Sequence, residues 1–334
     1  MKRFLAVIAA VAMVGLAILL RGLIDDGGSG GDGGSSNAGD AGADGNLTLV
    51  CGPELLPACN DLEADLDDVT VMSESEADTA ARLAEGTLDL DGATAWLAAG
   101  PWPEIAAAEG LDMPEMADSD VLANSPAVIV ARSDRMEAIN SACGSANWSC
   151  IGDAAGGEWT DLGGESTWGR IEVGLPEPDS GAGTVAVNQA VASRVGTPEF
   201  ATNDLDGPDV EGWFDSLAQQ SKDNATSTSP LTQFLRVPGS LGVVGALEAE
   251  TIQQLESAAV AEELTTTVPE PTSVAEVRLW AGDEDQVAAI LERFGETALV
   301  EALTANGWRG GSPDATGLPA AGVMSAVNTR WEQA

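Results

Sequence analysis

A glycine-rich stretch in the middle of the chain combines residue types that can hold a ligand. It runs from Asp179 to Thr184, between a predicted strand over residues 170–174 and a predicted helix over residues 185–192. A glycine-rich turn that feeds a helix leaves several backbone N–H groups unpaired at the positive end of the helix dipole. Such a turn suits an anionic or strongly polar ligand group. The same residues also fit a simpler role, in which Ser180 caps the helix.

The composition argues against the commonest catalytic machineries. The 334 residues include no histidine and no tyrosine. Histidine triads, histidine metal ligands and the commonest general base are therefore excluded. The carboxylates of Glu54 and Asp179 are the catalytic candidates, and neither can be assigned a partner carboxylate from the sequence. We therefore expect a binding protein rather than an enzyme, without a metal or a cofactor.

The charge balance excludes one class of partner. The chain carries 54 acidic and 14 basic residues, a formal net charge of −40, and Lys2 and Lys222 are its two lysines. Such a surface repels phosphate backbones, so we expect no nucleic acid partner. High salt, a calcium-rich exterior and lysine depletion in a GC-rich genome would each explain the composition, and the sequence does not separate them.

The N-terminus has the features of a membrane anchor. Residues 4–20 carry no charge, and the apolar run continues past Arg21, whose side chain can reach the interface. Residues 1–24 are thus predicted to form a signal anchor. Lys2 and Arg3 place the N-terminus in the cytoplasm, so the rest of this single-pass membrane protein would be extracytoplasmic. A cleaved signal peptide is the alternative, although no small-x-small cleavage site and no lipobox cysteine follows the run.

Residues 25–45 (DDGGSGGDGGSSNAGDAGADG) consist mainly of Gly, Ser and Asp. The segment has no bulky apolar residue that could pack against a core. It is predicted to be a disordered, flexible linker that holds the folded part away from the membrane.

The folded part alternates strands and helices from its first residue. A strand over residues 46–51 is followed by a helix over 54–66 and a strand over 69–72, and Ser75 then begins a helix with a capping box. This alternation is typical of a parallel α/β sheet. A long apolar strand over 121–131 contains a proline, which favours an edge or a crossover position.

The four cysteines fall into two close pairs in the sequence. Outside the cytoplasm an even number of cysteines favours disulfides. Of the three possible connectivities, the short spacing favours Cys51 with Cys59 and Cys143 with Cys150. A four-thiolate metal site would normally use Cys-x-x-Cys motifs, which are absent.

Several local patterns occur in an order that matches a known family. They are the strand at 46–51 opening into Gly52-Pro53-Glu54, the segment 88–96, Asn-Ser-Pro-Ala-Val-Ile-Val at 124–130, the segments 159–162 and 168–183, and the closing segments 285–294 and 299–309. Over residues 46–310 this order resembles bacterial extracellular solute-binding proteins of the periplasmic binding protein type II fold. It is most similar to the actinobacterial branch in which this domain is sometimes joined to a von Willebrand factor A domain.

The resemblance implies an α/β domain of two lobes over residues 46–310 that closes on a small polar ligand, with a C-terminal tail at 311–334. An ABC permease is the implied transport partner. A von Willebrand factor A-type protein would be the partner of the alternative, an envelope module with a vestigial cleft. The implied ligand-binding residues are Gly52, Glu54, Ser125, Ser180, Gly181, Gly183 and Thr184. Oxyanion binders of this fold usually have Ser or Thr where Glu54 stands, so an anionic ligand is disfavoured.

Overall fold

The computed structural model describes residues 46–237, 239–256, 258 and 263–334. The predicted anchor at 1–24 and linker at 25–45 lie outside the described residues. Among the helices of the described part, none is long and apolar enough to cross a membrane.

The strands of the described residues form one continuous, curled arrangement with the central order β2-β1-β3-β9-β5-β7-β6, while β4, β8 and β10 pair at its sides. The strands are β1 (Leu47–Cys51), β2 (Val69–Ser73), β3 (Thr94–Ala99), β4 (Ala117–Asp118), β5 (Ala123–Arg132), β6 (Val173–Gly174), β7 (Val243–Leu247), β8 (Leu264–Thr267), β9 (Val274–Ala281) and β10 (Arg309–Gly310).

Helices pack against this arrangement of strands. In chain order the described helices are α1 (Leu56–Asp65), α2 (Glu76–Ala84), α3 (Trp102–Ala108), α4 (Ser133–Cys143), α5 (Trp148–Ala154), α6 (Gly181–Val195), α7 (Thr202–Leu205), α8 (Pro208–Asn224), α9 (Pro230–Arg236), α10 (Glu248–Glu256), α11 (Glu284–Phe294), α12 (Glu296–Ala305) and α13 (Ala321–Gln333). Short 3-10 turns lie at Trp159–Leu162 and Ser166–Trp168.

Strand β5 divides the molecule into two lobes because its two halves pair with different strands. Residues 123–126 pair with β9 in the sheet of the first lobe, which also holds β1, β2 and β3. Residues 127–131 pair with β7 in the sheet of the second lobe, where β6 and β8 also lie. Pro126 stands at the changeover, so the predicted crossover is confirmed. The connection from β8 to β9 returns the chain to the first lobe.

The sheet is mixed rather than purely parallel. Strands β1, β2 and β3 are parallel, as the alternation of strands and helices predicts. Strands β9 and β5 are antiparallel to their neighbours, because these segments carry the chain between the lobes instead of following a helical crossover. The α/β class and the two lobes are as predicted.

Helix α6 contributes to the cores of both lobes. Ala182 and Val185, in its first turns, belong to the core of the first lobe, whereas the next turn packs into the core of the second lobe. Its buried N-terminus therefore lies where the two lobes meet.

Helix α13 also packs on both lobes, although the sequence analysis assigned residues 311–334 to a tail. Met324 joins a core cluster of the first lobe that includes Trp102, and Val327 and Trp331 join the core of the second lobe. Local sequence indicated this helix only weakly because its buried positions lie among alanines, serines and threonines.

Both predicted disulfides are present. Cys51 is joined to Cys59 and Cys143 to Cys150. The first bond ties the end of β1 to α1, and the second ties α4 to α5. The predicted cap of α2 is also confirmed, since the Ser75 side chain accepts a hydrogen bond of 3.2 Å from the Asp78 N–H.

Arginines take part in several ion pairs on the surface. Arg330 approaches three acids, with N–O distances of 2.9 Å to Asp215, 3.3 Å to Glu211 and 3.7 Å to Asp206. With 14 basic residues against 54 acidic ones, most carboxylates have no basic partner available. The surface thus retains a large self-repulsion at low salt.

Stability should consequently rise with salt. Raising the NaCl concentration from about 10 mM to about 1 M, which shortens the Debye length from roughly 30 Å to roughly 3 Å, is expected to increase the Tm because it screens the exposed carboxylates from one another. Thermal unfolding of the full chain followed by circular dichroism measures this. A Tm independent of salt would contradict uncompensated repulsion and point to carboxylates neutralised by bound cations.

Candidate functional site

The glycine-rich stretch lies at the N-terminus of α6, between the two lobes. Ser180 is the N-cap residue of the helix: its backbone is extended, and its Oγ accepts a hydrogen bond of 3.2 Å from the Gly183 N–H. The hydroxyl of Thr184 donates to the carbonyl of Pro178 at 3.4 Å. Both side chains therefore have partners within the chain, as the capping interpretation predicts.

Two glutamates from the first lobe accept hydrogen bonds from the helix N-terminus. Glu54 Oε1 accepts from the Ala182 N–H at 3.0 Å. Glu76 Oε2 accepts from the Gly181 N–H at 3.3 Å, and its Oε1 accepts from the Ala99 N–H at 3.5 Å. Carboxylates are favoured at this end of a helix because the backbone dipoles leave positive charge there. Both carboxylates thus stand where an anionic ligand group would otherwise bind.

Three glycines of the predicted site leave the space that these contacts need. A Cβ atom on Gly52 would lie 2.0 Å from Glu76 Oε1, and one on Gly181 would lie 2.4 Å from Glu54 Oε1. A Cβ atom on Gly183 would lie 1.6 Å from the carbonyl oxygen of Glu177. Real Cβ contacts are longer than all of these distances. Gly181 and Gly183 are required because the added atom would also meet backbone, at 2.3 Å from the Ala99 carbonyl oxygen in the case of Gly181, whereas a Cβ on Gly52 would displace the Glu76 carboxyl group.

Ser125 contacts the N-terminus of a different helix, α10. It is fully buried on β5, and its Oγ accepts a hydrogen bond of 3.0 Å from the Ala249 N–H at the start of α10. The other six residues of the predicted set gather around the N-terminus of α6. The structure gives their polar groups internal contacts, and a role in ligand binding remains a prediction for all seven.

Burial changes the acidity of the two glutamates. Desolvation, followed by the charge of Glu250, raises the pKa of Glu54 to about 7, although hydrogen bonds from its own backbone, from Ala182 and from Glu76 act in the opposite direction. Desolvation and then the charge of Glu54 raise the pKa of Glu76 well above its usual range. Desolvation also raises the pKa of Glu250. Burial therefore disfavours the charged form of each of these carboxyl groups.

Sequence reasoning singled out Glu54 but missed Glu76. Glu76 follows the Ser75 cap, and an acid in the first turn of a helix normally faces solvent. Its burial depends on the position of α2 beside β3 and α6, which local sequence does not reveal. The sequence feature that could have indicated the burial of Glu76 is Gly52, which leaves room for the Glu76 carboxyl group.

A direct contact between the lobes and a cavity lie next to the N-terminus of α6. The Ala77 N–H donates to the carbonyl of Asp179 at 3.0 Å, so the lobes contact each other directly. Beside this contact lies a cavity of about 320 Å³ between α3, the loop before α6, α8 and α13. Trp102 and Trp331 are among its lining residues, together with several acids. We call it the interlobe cavity.

Comparisons with known proteins define the fold. No protein-family model and no curated protein sequence matches this chain. Among solved structures, the Trichodesmium protein IdiA (FutA) in complex with iron and citrate matches with a TM-score of 0.51 and 11% identity, over 86% of this chain and 98% of that one. Apo FutA2 from Synechocystis PCC6803 matches with a TM-score of 0.51 and 12% identity, over 86% and 96%.

A structure of OxyR also matches this chain. The match to an H2O2-bound cysteine-to-serine mutant of OxyR from Corynebacterium glutamicum has a TM-score of 0.47 and 16% identity over 78% of this chain. It spans 66% of that protein's length, just under two thirds. The two FutA matches, which cover nearly all of those proteins, establish that this chain has the two-lobed α/β fold of type II periplasmic binding proteins.

Proposed function

We propose that this protein is a membrane-anchored, extracytoplasmic solute-binding protein that holds a small polar ligand between its lobes and delivers it to an ABC permease. The observation that carries the proposal is the junction at the N-terminus of α6, where loops of one lobe meet a helix end of the other inside a solute-binding fold. In such a fold a ligand between the lobes favours the closed arrangement.

The acidic groups at the N-terminus of α6 restrict which ligands could bind between the lobes. Glu54 and Glu76 already accept the N–H groups that an anion would need. An anion would also have to displace these two carboxyl groups, and it would approach an acidic surface whose like charge opposes binding. We infer that the ligand is neutral or cationic and that oxyanions do not bind.

The proposal assigns no catalytic role. Of the two carboxylates considered, Glu54 is 7% exposed and accepts from the Ala182 N–H. Asp179 lies on the edge of the interlobe cavity beside Glu177. Glu76 lies beside Glu54, but both carboxyl groups accept N–H groups at the start of α6, so we assign the pair a structural role.

A panel of solutes tests the proposal. The full chain in detergent is screened by thermal shift against neutral, cationic and anionic solutes of similar size. At least one neutral or cationic solute is expected to raise the Tm in a saturable manner, since a ligand stabilises the state that binds it, whereas sulfate, phosphate and molybdate should have no effect beyond that of matched ionic strength. Saturable stabilisation by an oxyanion, or by no solute at all, would contradict the proposal.

The topology has a separate test. Protease added to intact cells is expected to release the folded domain by cutting within residues 25–45, because a Gly/Ser/Asp-rich sequence without bulky apolar residues is predicted to be a cleavable linker. Mass spectrometry of the membrane fraction should then find a stub that contains residues 1–24. Recovery of a mature protein that already lacks residues 1–24 would show a cleaved signal peptide instead.

A second candidate function rests on the direct contact between the lobes. The Ala77–Asp179 hydrogen bond and the two glutamates join the lobes through groups of the protein itself. This arrangement favours an envelope interaction module that retains the fold, with a von Willebrand factor A-type protein as partner. Neighbouring permease and ATPase genes would favour transport, and a neighbouring von Willebrand factor A gene would favour the module.

A further inference from the structure

Helix α13 begins on the first lobe. The segment just before it is tied to the start of β9, because the Val274 N–H donates to the Thr316 carbonyl at 2.7 Å. The Ser273 hydroxyl donates to the next carbonyl, that of Gly317, at 2.9 Å. Within the first turns of the helix, Met324 belongs to a core cluster of the first lobe. The chain therefore enters α13 from the first lobe and is held there.

The other end of α13 is fixed to the second lobe by polar contacts. Arg330 forms a bidentate pair with Asp215 on α8, at 2.9 Å through Nε and 3.2 Å through Nη2, and its Nη1 donates to the last carbonyl of α7 at 3.2 Å. Lys222, also on α8, donates to two backbone carbonyls at the C-terminal end of α13. Trp331 packs edge-on against Phe214 of α8, with ring centroids 6.1 Å apart. Bidentate ion pairs and a cation at a helix C-terminus both stabilise such an attachment.

Helix α13 also lies beside the direct contact between the lobes. Asn328 and Trp331 of the helix line the interlobe cavity together with Ala77 and Asp179, which form the hydrogen bond between the lobes. Since α13 is attached to both lobes, they cannot move apart at this contact unless the helix detaches from one of them.

We propose that α13 is a strap that holds the two lobes together, with Arg330 as its releasable anchor. The apolar contacts of the helix are shared between the lobes, whereas the ion pairs of Arg330, with Asp206, Glu211 and Asp215, are all made to the second lobe. Detachment of that end would allow the lobes to separate by a hinge motion and would expose the N-terminus of α6 to solutes. This inference goes beyond the proposed function, because the strap acts whether or not a solute binds.

Three backbone amides report directly on the contact between the lobes. Ala77, Gly181 and Ala182 lie in the first turns of their helices, where no carbonyl of the same helix accepts the N–H group. Ala77 donates instead to the loop before α6, and the other two donate to the glutamates of the first lobe. The exchange of these amides with deuterium therefore follows separation of the lobes.

Hydrogen exchange of the full chain in detergent tests the strap, read by mass spectrometry in peptides that cover residues 75–80 and 178–184. Arg330→Gln removes the ion pairs and keeps a long polar side chain. It is expected to speed exchange of the three amides about tenfold or more, since hydrogen bonds to a charged group are lost. Strands β1 and β7, in the cores of the two lobes, should keep their exchange rates. Unchanged exchange at the three amides, or equal acceleration in β1 and β7, would overturn the proposal.

Arg194→Gln is the matched control. The Arg194 side chain is 20% exposed, against 17% for Arg330, and it likewise binds an aspartate, Asp153 at 3.0 Å, and a backbone carbonyl, that of Asp209 at 2.7 Å. Both partners belong to helices of the second lobe, so the control removes the same charge without removing an ion pair of α13. The three amides should exchange in this variant as in the parent. Acceleration equal to that in Arg330→Gln would indicate general loosening and would overturn the strap.

Lys222→Met takes the place of Arg330→Gln if that variant does not fold. Methionine keeps an apolar chain but cannot donate to the carbonyls of α13, so the three amides should exchange roughly threefold faster, as expected for the loss of a cation at a helix C-terminus. Unchanged exchange would then overturn the strap. Since these measurements need no solute, failure of the strap leaves the solute-binding proposal standing, and failure to find a solute leaves the strap standing.

Discussion

Gly183→Ala is expected to leave the protein unfolded or severely destabilised. The added Cβ would lie 1.6 Å from the carbonyl oxygen and 2.4 Å from the carbonyl carbon of Glu177, and both atoms belong to the backbone. The loop before α6 would have to move, which breaks the Ser180 cap and the hydrogen bond from Thr184 to Pro178. We expect a loss of roughly 4 kcal/mol or more in the free energy of unfolding. Urea titration followed by circular dichroism measures it.

Gly212→Ala is the matched control. Gly212 lies in helix α8, is exposed, and has no atom within 4 Å of the position that its Cβ would take. Alanine there should stabilise the protein by about 0.5–1 kcal/mol, since glycine is unfavourable inside a helix. If Gly183→Ala were as stable as the control, the packing described at the N-terminus of α6 would be wrong. Ser180→Ala should cost only about 1 kcal/mol, the value of one cap.

The buried carboxyl pair predicts that the protein is more stable in mild acid. Unfolded Glu54 titrates near its ordinary value of 4.5, whereas burial raises its pKa in the folded protein to about 7. Between these values the folded chain keeps a proton that the unfolded chain releases. The stability that protonated Glu54 contributes is therefore fully present below about pH 4.5 and is lost as the pH rises through about 7. The difference is on the order of 3 kcal/mol from Glu54, and Glu76 acts in the same direction.

Glu54→Gln separates this effect from the general loss of repulsion in acid. Glutamine keeps an oxygen that can accept from the Ala182 N–H, but it does not ionise. The variant should thus lose most of the stability difference between pH 5 and pH 8 that Glu54 causes, and it should be more stable than the parent at pH 8. Glu137→Gln, at an exposed position on α4, should retain the full pH dependence. An unchanged pH profile in Glu54→Gln would refute the assignment.

Local sequence was sufficient to predict most of the architecture. The strand before Gly52, the Ser75 cap and the cysteine spacing are local signals, and the structure has β1, α2 and the two disulfides as expected. Pro126 correctly indicated a crossover because proline cannot donate to a continuous ladder. Helix α13 was missed, since its burial comes from contacts with α3 and α6 rather than from an apolar stripe of its own.

Only part of the candidate site could be predicted from the sequence. A glycine-rich turn before a helix indicates free N–H groups, and α6 does begin there. What the sequence could not reveal is that side chains 105 and 128 residues away along the chain accept those N–H groups. Two features of the sequence pointed to this arrangement: Glu54 stands where Ser or Thr is usual, and Gly52 leaves room for the Glu76 carboxyl group. The interlobe cavity draws on α3, α8 and α13, whose meeting depends on the whole fold.

The two glutamates at the start of α6 also have a use in protein engineering. They are an internal substitute for a bound anion, held by the N–H groups of Gly181 and Ala182. Shortening both to neutral side chains would leave the Gly181 and Ala182 N–H groups without their carboxyl acceptors, whereas strand β5, which passes between the lobes, would be unchanged. We expect an added oxyanion to accept these N–H groups in such a double variant, which would make it a starting scaffold for an oxyanion biosensor.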